Sequence, residues 1–137
     1  MTNINAGRCY ETAQKHYLYA DVVFGNDGET VSLGWLPEDG VVDSVRVITH
    51  TAFNAGTTNQ IDVGYRDRGT PGDNASGLAS DVDVSAVGVG EVDLSSTANL
   101  AFTSGGEVTA TIDLVGAAAT AGAARVVVEF TVANDAP

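Results

Sequence analysis

The sequence predicts an all-β fold: a single antiparallel β-sandwich of the jelly-roll type with a polar N-terminal arm. Short segments in which apolar and polar residues alternate, as in half-buried strands, recur with turn signals at intervals of about a dozen residues. No apolar repeat of helical period runs long enough to predict a substantial helix. The 137 residues suit one domain, which would bury about two-thirds of the surface of the unfolded chain.

The first half of the chain divides into an arm and four strands. Residues 1–17 are polar and do not alternate, so they are predicted to form the arm, followed by the sandwich domain (18–133) and a short tail (134–137). Each expected strand is rich in Val, Ile, Thr and aromatic residues and is bounded by Gly, Asn, Asp or Pro. These strands are 17–24, 30–36, 42–53 and 60–65.

Two hairpins and two loops are expected from the turn signals. The polar segment NAGTTN between the third and fourth strands indicates a hairpin, and SGG between 99–103 and 107–115 indicates another. Between them lie a loop at 66–77 and short β segments over 78–96, interrupted by glycines. The segment GAAATAG (116–122) is too short for a stable helix and is interpreted as a loop before the last strand, 123–132.

Charge is the most unusual property of the composition. Eighteen acidic residues oppose six basic ones, for a net charge of -12. Between Gly69 and Ala124 there is no Lys or Arg, whereas seven acidic residues lie there. Such a surface repels phosphate backbones, so nucleic acid is not expected as a partner. The charge favours solubility, or attraction to a basic partner or to divalent cations.

Cysteine usage and hydropathy indicate where the protein is made. Cys9 is the only cysteine, so neither an intrachain disulfide nor a thiolate metal site is expected, and an unpaired thiol suits a reducing cytosol. The N-terminal residues lack the apolar segment of a secretory signal. No apolar run approaches the ~20 residues of a membrane helix. We therefore expect synthesis in the cytoplasm and no membrane partner.

The candidate catalytic residues do not form a recognisable constellation. His50 lies in a predicted strand between two threonines, His16 lies in the arm, and no G-x-S-x-G motif surrounds a serine. Cys9 has only Arg8 as a basic neighbour in the sequence. No glycine-rich segment has the strand-to-helix context of a phosphate loop. We expect a protein that is not an enzyme and needs no cofactor.

Two further features have alternative interpretations. Asp81 and Asp83 lie on one side of a predicted strand, and carboxylate clusters bind hard cations such as Ca²⁺. The spacing of an EF-hand loop is absent, so solvated surface charge is the expectation and no metal is assigned. Trp35, at a strand end before a turn, is either a sugar-binding platform or, as we expect, a core or interface anchor. The NAS sequon at 74–76 is idle without secretion.

Two segments carry a resemblance to known proteins. The segment GWLPEDGVVDSVRVITHTAFNAGTTNQIDVG (34–64) contains a Leu-Pro-x-x-Gly turn, an alternating Val strand, Thr-x-Phe-Asn, a Gly-Thr-Thr turn and a second strand ending in Val-Gly. With EVTATIDLVGAAATAGAARVVVEF (107–130), which is similar to a closing hairpin, it resembles small structural proteins of tailed double-stranded DNA phages. The resemblance covers about 55 of the 137 residues. It implies a β-sandwich and a head decoration (cement) protein or a related virion surface component, without catalytic residues.

A decoration role carries expectations about location, partners and contacts. It places the protein on the capsid surface of the virion, bound to the major capsid protein, and we expect a homo-oligomer with a trimer favoured. Tyr and Arg are enriched at binding hot spots, and the arm carries four residues of types that can anchor an interface: Arg8, Tyr10, Lys15 and Tyr17. We predict that the arm contributes docking contacts.

Two other classes of function remain open at this stage. One is a receptor- or glycan-binding module of a phage tail fibre or baseplate, and the other is an accessory domain of an enzyme. A location on the head at high copy number favours decoration, whereas a location on the tail at low copy number favours adhesion.

The charge imbalance predicts a salt dependence of stability. Self-repulsion at -12 is reduced when salt shortens the Debye length to about 10 Å at 0.1 M. The melting temperature of the isolated protein should therefore rise as sodium chloride increases from about 10 mM to about 200 mM. A melting temperature that is flat or falls over this range would contradict the expectation.

Overall fold

The computed structural model describes residues 13–69, 72–98 and 100–133. In chain order the strands are β1 (Ala13–Val23), β2 (Thr30–Leu36), β3 (Gly40–Thr51), β4 (Thr58–Arg66), β5 (Asn74–Asp83), β6 (Gly88–Glu91), β7 (Ala101–Phe102), β8 (Gly106–Val115) and β9 (Ala123–Ala133). The helical content of these ranges is a single 3-10 turn at Phe24–Asn26, and no helix in them is long and apolar enough to cross a membrane. The predicted all-β class is confirmed.

Two antiparallel sheets pack face to face. The five-stranded sheet has the order β1-β9-β3-β6, with β7 also paired to β3, and the four-stranded sheet has the order β2-β8-β4-β5. Strands pair as in a ribbon folded in half: β1 with β9, β2 with β8, β3 with β6 and β7, and β4 with β5. Wrapping such a ribbon around a core produces a jelly roll. The predicted jelly-roll sandwich is therefore confirmed in its topology.

The core lies between the inner faces of the two sheets. Alternate residues of each strand point inward because successive side chains of a strand lie on opposite faces. The five-stranded sheet contributes Val22, Val45, Val47, Val126 and Val128, and the four-stranded sheet contributes Ile61, Val63, Val108, Ala110 and Ile112. Phe53, in the connection after β3, is 2% exposed, which confirms its predicted place in the core.

The two hairpins expected from the turn signals and the closing hairpin implied by the resemblance are wrong: each of these connections crosses from one sheet to the other. β3 and β4 lie in different sheets, as do β8 and β9. β7 pairs with β3, whereas β8 pairs with β2 and β4. Alternation specifies which face of a strand meets the core but not which strand lies beside it. A polar, glycine-containing connection serves either a hairpin or a crossing between sheets.

Two element boundaries also differ from the expectation. β1 begins at Ala13, so residues 13–17 of the predicted arm belong to the sheet. In this part of β1 apolar and polar residues do not alternate. Its inward-facing residue, His16, lies at the end of the sandwich, where it is exposed and an apolar residue is not needed. β5 begins at Asn74, inside the predicted loop 66–77, and carries irregular pairing with β4. The segment 116–122 is a loop, as predicted.

Gly64 permits the close approach of β5 to β4. A Cβ atom at this position would lie 2.1 Å from the carbonyl oxygen of Asn74 and 2.3 Å from the carbonyl carbon of Ala75. These are backbone atoms, which cannot move aside as the end of a flexible side chain can. Any side chain at this position would push the irregular start of β5 away from β4.

We therefore predict that Gly64→Ala lowers the free energy of unfolding by about 1–3 kcal/mol through overpacking. Gly25→Ala is the matched control, because a Cβ atom there would have no neighbour within 4 Å, and it should change stability by less than about 1 kcal/mol. Urea unfolding followed by tryptophan fluorescence measures both variants. Equal stability of the two variants would contradict the close approach of the β5 backbone to Gly64.

Candidate docking surface

The outer face of the five-stranded sheet combines aromatic, aliphatic and basic side chains. Cross-strand partners in an antiparallel pair point to the same side of the sheet, so the register determines which residues share this face. We call it the tyrosine face. It is formed by Lys15, Tyr17, Tyr19, Asp21 and Val23 of β1, Arg125, Val127, Glu129 and Thr131 of β9, Val41, Asp43, Ser44, Arg46 and Ile48 of β3, and Val89 and Glu91 of β6.

Three large apolar side chains of the tyrosine face are more than half exposed. Tyr17 is 56% exposed, Tyr19 is 55% exposed and Val89 is 67% exposed. Ile48, the cross-strand partner of Val89, is half-buried beside it. Tyr17 and Tyr19 lie on β1 at one edge of the sheet, and Val89 lies on β6 at the opposite edge, so exposed apolar side chains occur at both edges of the face. Tyrosine is enriched at binding hot spots. The face is therefore suited to contact with another protein.

Ion pairs order the basic side chains on this face. Lys15 Nζ donates to Glu129 Oε1 at 2.6 Å. Arg125 donates to both carboxylate oxygens of Asp21, at 2.7 and 3.0 Å, and its guanidinium lies 4.5 Å from the centre of the Tyr19 ring. The hydrogen bond from Lys15 lowers the pKa of Glu129, and the hydrogen bond from Arg125 lowers the pKa of Asp21. Exposed pairs contribute little stability, but they hold the side chains in place around the tyrosines.

The tyrosine face is close to neutral on a strongly acidic protein. It carries three of the six basic residues of the chain, Lys15, Arg46 and Arg125. They oppose four carboxylates, those of Asp21, Asp43, Glu91 and Glu129. Another protein can therefore approach this side with less electrostatic repulsion than the net charge of -12 would impose elsewhere.

The outer face of the four-stranded sheet has a different character. Threonines dominate its centre, and the hydroxyls of Thr30 and Thr111 lie 3.1 Å apart across β2 and β8. Carboxylates surround them: Asp62, Asp83 and Asp113. The centre of this face is polar and acidic, which suits solvent, whereas exposed apolar side chains lie at its ends, at Trp35 and Val115. The molecule therefore has two unlike sides, and the tyrosine face is the better candidate for docking.

Trp35 lies at one end of the four-stranded sheet, in a row with Glu107 and Arg66. Its side chain is 58% exposed, so the core, one of the two places expected for it, is wrong, and a role as an interface anchor stays a prediction. Glu107 is buried and accepts hydrogen bonds from Arg66 Nε and, at 2.6 Å, from the Ser32 hydroxyl. These donors, Arg66 first, lower the pKa of Glu107.

The four predicted contact residues divide between the described and the undescribed parts of the chain. Lys15 and Tyr17 lie on the tyrosine face, whereas Arg8 and Tyr10 lie outside the described residues. Sequence reasoning missed Tyr19 and Arg125 as their neighbours. The alternation in YLYADVV contained the signal for Tyr19, because it separates Tyr17, Tyr19 and Asp21 from the apolar residues between them. The pairing with β9 that brings in Arg125 had no local signal.

The carboxylates considered for a cation have other roles in the structure. Asp83 accepts a hydrogen bond from the Ser85 N–H at 2.8 Å, and hydrogen bonds from Ser85 lower its pKa. Asp81 has a positive φ of 56°, and its N–H donates to the Asp62 carboxylate at 2.7 Å. Within the described ranges no three His, Cys, Asp or Glu side chains are grouped as metal ligands.

The histidines and the cleft beside β5 offer little for catalysis. The His16 ring stacks on Phe130 with centroids 5.3 Å apart, and His50 is exposed near the end of β3. An open cleft of about 480 Å³ lies between β5 and residues 92–98. Its described lining contains no His, Cys or Lys, and its carboxylate, that of Asp93, accepts a hydrogen bond from the Ser95 N–H.

Comparison with known proteins finds likeness in structure rather than in sequence. No protein-family model matches the chain, and no curated protein matches it. The fold is similar to a chain of the capsid of Ralstonia phage GP4, with a TM-score of 0.66 and 19% identity over 91% of this chain and 88% of that one. It is also similar to a chain of the cyanophage Pam1 capsid asymmetric unit, with a TM-score of 0.64 and 18% identity over 88% and 86%.

A third solved structure extends the likeness to another phage. A chain of the acid-stable capsid of Helicobacter pylori bacteriophage KHP30 aligns with a TM-score of 0.54 and 20% identity, over 88% of this chain and 93% of that one. At such identities the three likenesses show a shared jelly-roll fold. Because coverage is high on both sides, the matched chains have nearly the length of this one.

The buried Glu107 predicts a pH dependence of stability. Its pKa is lower in the folded protein than the ordinary value of 4.5, so its stabilising contribution is complete above that value and is lost as the pH falls through the folded pKa. Glu107→Gln should lower the free energy of unfolding by about 1 kcal/mol near neutral pH. The difference from wild type should shrink as the pH falls from about 5 to about 3.

Asp113→Asn is the matched control for this prediction. It removes the same charge from an exposed position of the same strand and should change stability by less than about 0.5 kcal/mol. Urea unfolding at a series of pH values measures both variants. A loss of stability in Glu107→Gln that does not vary with pH would contradict the role of the carboxylate.

Proposed function

We propose that this protein is a non-enzymatic virion structural protein, and specifically a decoration (cement) protein that binds the outer surface of the assembled phage head. The observation that carries the proposal is the likeness to chains from the capsids of three phages over most of both chains. Each matched chain is about as long as the chain described here, so the likeness extends over the whole sandwich and not over a small part of it. The proposed partner is the major capsid protein.

The two unlike faces support a decoration role. A decoration protein needs one side that adheres to the shell and another that tolerates solvent. The tyrosine face offers exposed Tyr17, Tyr19 and Val89 near electroneutrality, and the face of the four-stranded sheet offers threonines and carboxylates. Many copies bound in this way stabilise the assembled head by mass action, because they bind the assembled state in preference to the dissociated one.

The N-terminal residues are part of the proposal. Since β1 begins at Ala13, the segment available as an arm is residues 1–12, with Arg8 and Tyr10 as its candidate contacts. An extended segment of this length reaches up to about 40 Å, far enough to touch a neighbouring subunit. Lys15 and Tyr17 act from the tyrosine face instead. The location on the capsid surface follows from this role, with synthesis in the host cytoplasm.

A specific observation favours one alternative. Trp35 is 58% exposed beside Arg66 and Glu107, and an exposed indole ring with neighbouring polar groups resembles a sugar-binding platform. A receptor- or glycan-binding module of a tail fibre or baseplate would use it. Trp35→Ala separates the two functions, because it should abolish glycan binding and leave head binding unchanged. The trimeric state stays a prediction, which light scattering would measure.

Binding to heads tests the proposal. Full-length protein mixed with undecorated capsids should cosediment with them. Val89→Asp, which places a charge on the tyrosine face, should weaken binding by roughly tenfold or more. Val115→Asp is the matched control, because Val115 is also exposed (48%) but lies on the four-stranded sheet. A chain lacking residues 2–12 should bind more weakly than the full chain.

Each result bears on a separate part of the proposal. Failure of the full-length protein to bind heads would overturn the decoration role. Equal loss of binding in the Val89 and Val115 variants would remove the tyrosine face from the mechanism. Undiminished binding after deletion of residues 2–12 would remove the arm.

A further inference from the structure

Strand β1 presents a long regular edge. It is the outermost strand of the five-stranded sheet and pairs with β9 along its whole length, from Ala13 opposite Ala133 to Val23 opposite Ala123. The register has no bulge. Within the described residues no strand pairs with its other side. Half of its backbone N–H and C=O groups therefore point away from β9, as in any edge strand.

This edge lacks several of the usual protections against pairing with another chain. Natural edge strands are kept apart by charged side chains, prolines, bulges, short length or inward-pointing charges. β1 has eleven residues and contains no proline, and its charged side chains, Lys15 and Asp21, point outward. Ala20 and Val22 are buried, and Leu18 packs closely against Gly34 of β2. β1 is thus packed against the core, and its free backbone groups are held in position for pairing with another strand.

The sequence of β1 is complementary to itself in the antiparallel direction. Leu18 is the central residue of Ala13–Val23, and pairing two copies about this centre leaves no overhang. In that register Lys15 of one copy faces Asp21 of the other, and Tyr17 faces Tyr19. Opposite charges and aromatic pairs across neighbouring strands each stabilise a sheet. All four of these side chains lie on the tyrosine face and are exposed.

We propose that two copies of this chain associate through their β1 strands, antiparallel and centred on Leu18, so that their five-stranded sheets form one continuous sheet. The contact adds about ten backbone hydrogen bonds and four cross-strand side-chain pairs related by the twofold axis. Lys15 then lies between Glu129 of its own chain and Asp21 of the second copy. The tyrosine faces of both copies become one surface.

Electrostatic interactions favour this edge as the contact with a second copy. Two molecules of charge -12 repel each other, but the charges of Lys15 and Asp21 cancel within each β1 strand and attract between strands. Charge elsewhere is screened beyond a Debye length of about 8 Å at physiological salt. The contact uses the same patch on both copies, so it closes at two. It does not rest on the proposed function, and a trimer would require a different contact.

Charge placement at positions 17 and 19 tests the register. In the proposed pairing these positions face each other, so Y17K/Y19K and Y17E/Y19E create like-charge pairs, whereas Y17K/Y19E creates opposite-charge pairs. The first variant makes the chain less negative by two charges, the second makes it more negative by two, and the third leaves the net charge unchanged. A general effect of net charge would therefore move the two like-charge variants in opposite directions.

Sedimentation equilibrium of the full chain measures the association. Wild type should show a monomer–dimer equilibrium, both like-charge variants should raise the dissociation constant by roughly tenfold or more, and Y17K/Y19E should stay within about threefold of wild type. Circular dichroism and thermal melting confirm that each variant is folded.

Three results would overturn the proposal. One is a wild-type chain that stays monomeric, including one that dimerises only after residues 2–12 are removed, which would assign the edge to the chain's own N-terminal residues. Another is a trimer or dimer that none of the variants changes. The last is equal weakening by all three variants, which would show that the tyrosines matter without the proposed register. None of these outcomes bears on whether Val89→Asp weakens binding to heads, so this proposal and the proposed function are tested separately.

Discussion

The rest of the structure depends on the insertion of β9 between β1 and β3. One side of β9 pairs with β1 from end to end, and the other side pairs with β3. Two of its inward residues, Val126 and Val128, are fully buried against the other sheet. The last strand of the chain thus holds the first one in the sheet. Without it β1 would have no partner strand among the described residues, and the tyrosine face would lose the side chains of both β1 and β9.

This arrangement explains what the sequence could and could not predict. Alternation identified the inward residues of β8 and β9 correctly, since Val108, Ala110, Ile112, Val126 and Val128 are all buried. The same alternation was compatible with a β8–β9 hairpin, because either arrangement buries those residues. The whole core decides between the two arrangements. Connections that cross from one sheet to the other let the apolar inner faces of the two sheets cover each other. That information is spread along the chain rather than held in one turn.

Only those features of the candidate site that depend on the local sequence were predictable. Tyr17 and Lys15 were identified by residue type, but they were assigned to an arm because the start of β1 is polar on both sides. Arg125 is distant in the sequence from Asp21 and Tyr19, and only the β1–β9 pairing brings it against them. Trp35 was expected in a core or an interface, and its exposure follows from its outward position opposite Glu107. Long-range pairing decides each of these cases.

The distribution of charge connects the fold to the proposed role. A jelly roll exposes the outer faces of two sheets, and in this protein they differ: three of six basic residues gather on one, while carboxylates and threonines cover the other. The acidic side keeps the molecule soluble and discourages unspecific contact. Under the proposed role, the near-neutral side with its tyrosines is the side that contacts protein partners, and the acidic side faces solvent.

The pairing of β9 can be measured directly by nuclear magnetic resonance. Val126 lies opposite Ala20 on β1 and opposite Val47 on β3. Backbone nuclear Overhauser effects from Val126 should therefore reach both of these strands and none of the residues of β8. Effects that join β9 to β8 in a regular antiparallel ladder would instead establish a hairpin and contradict the jelly roll described here.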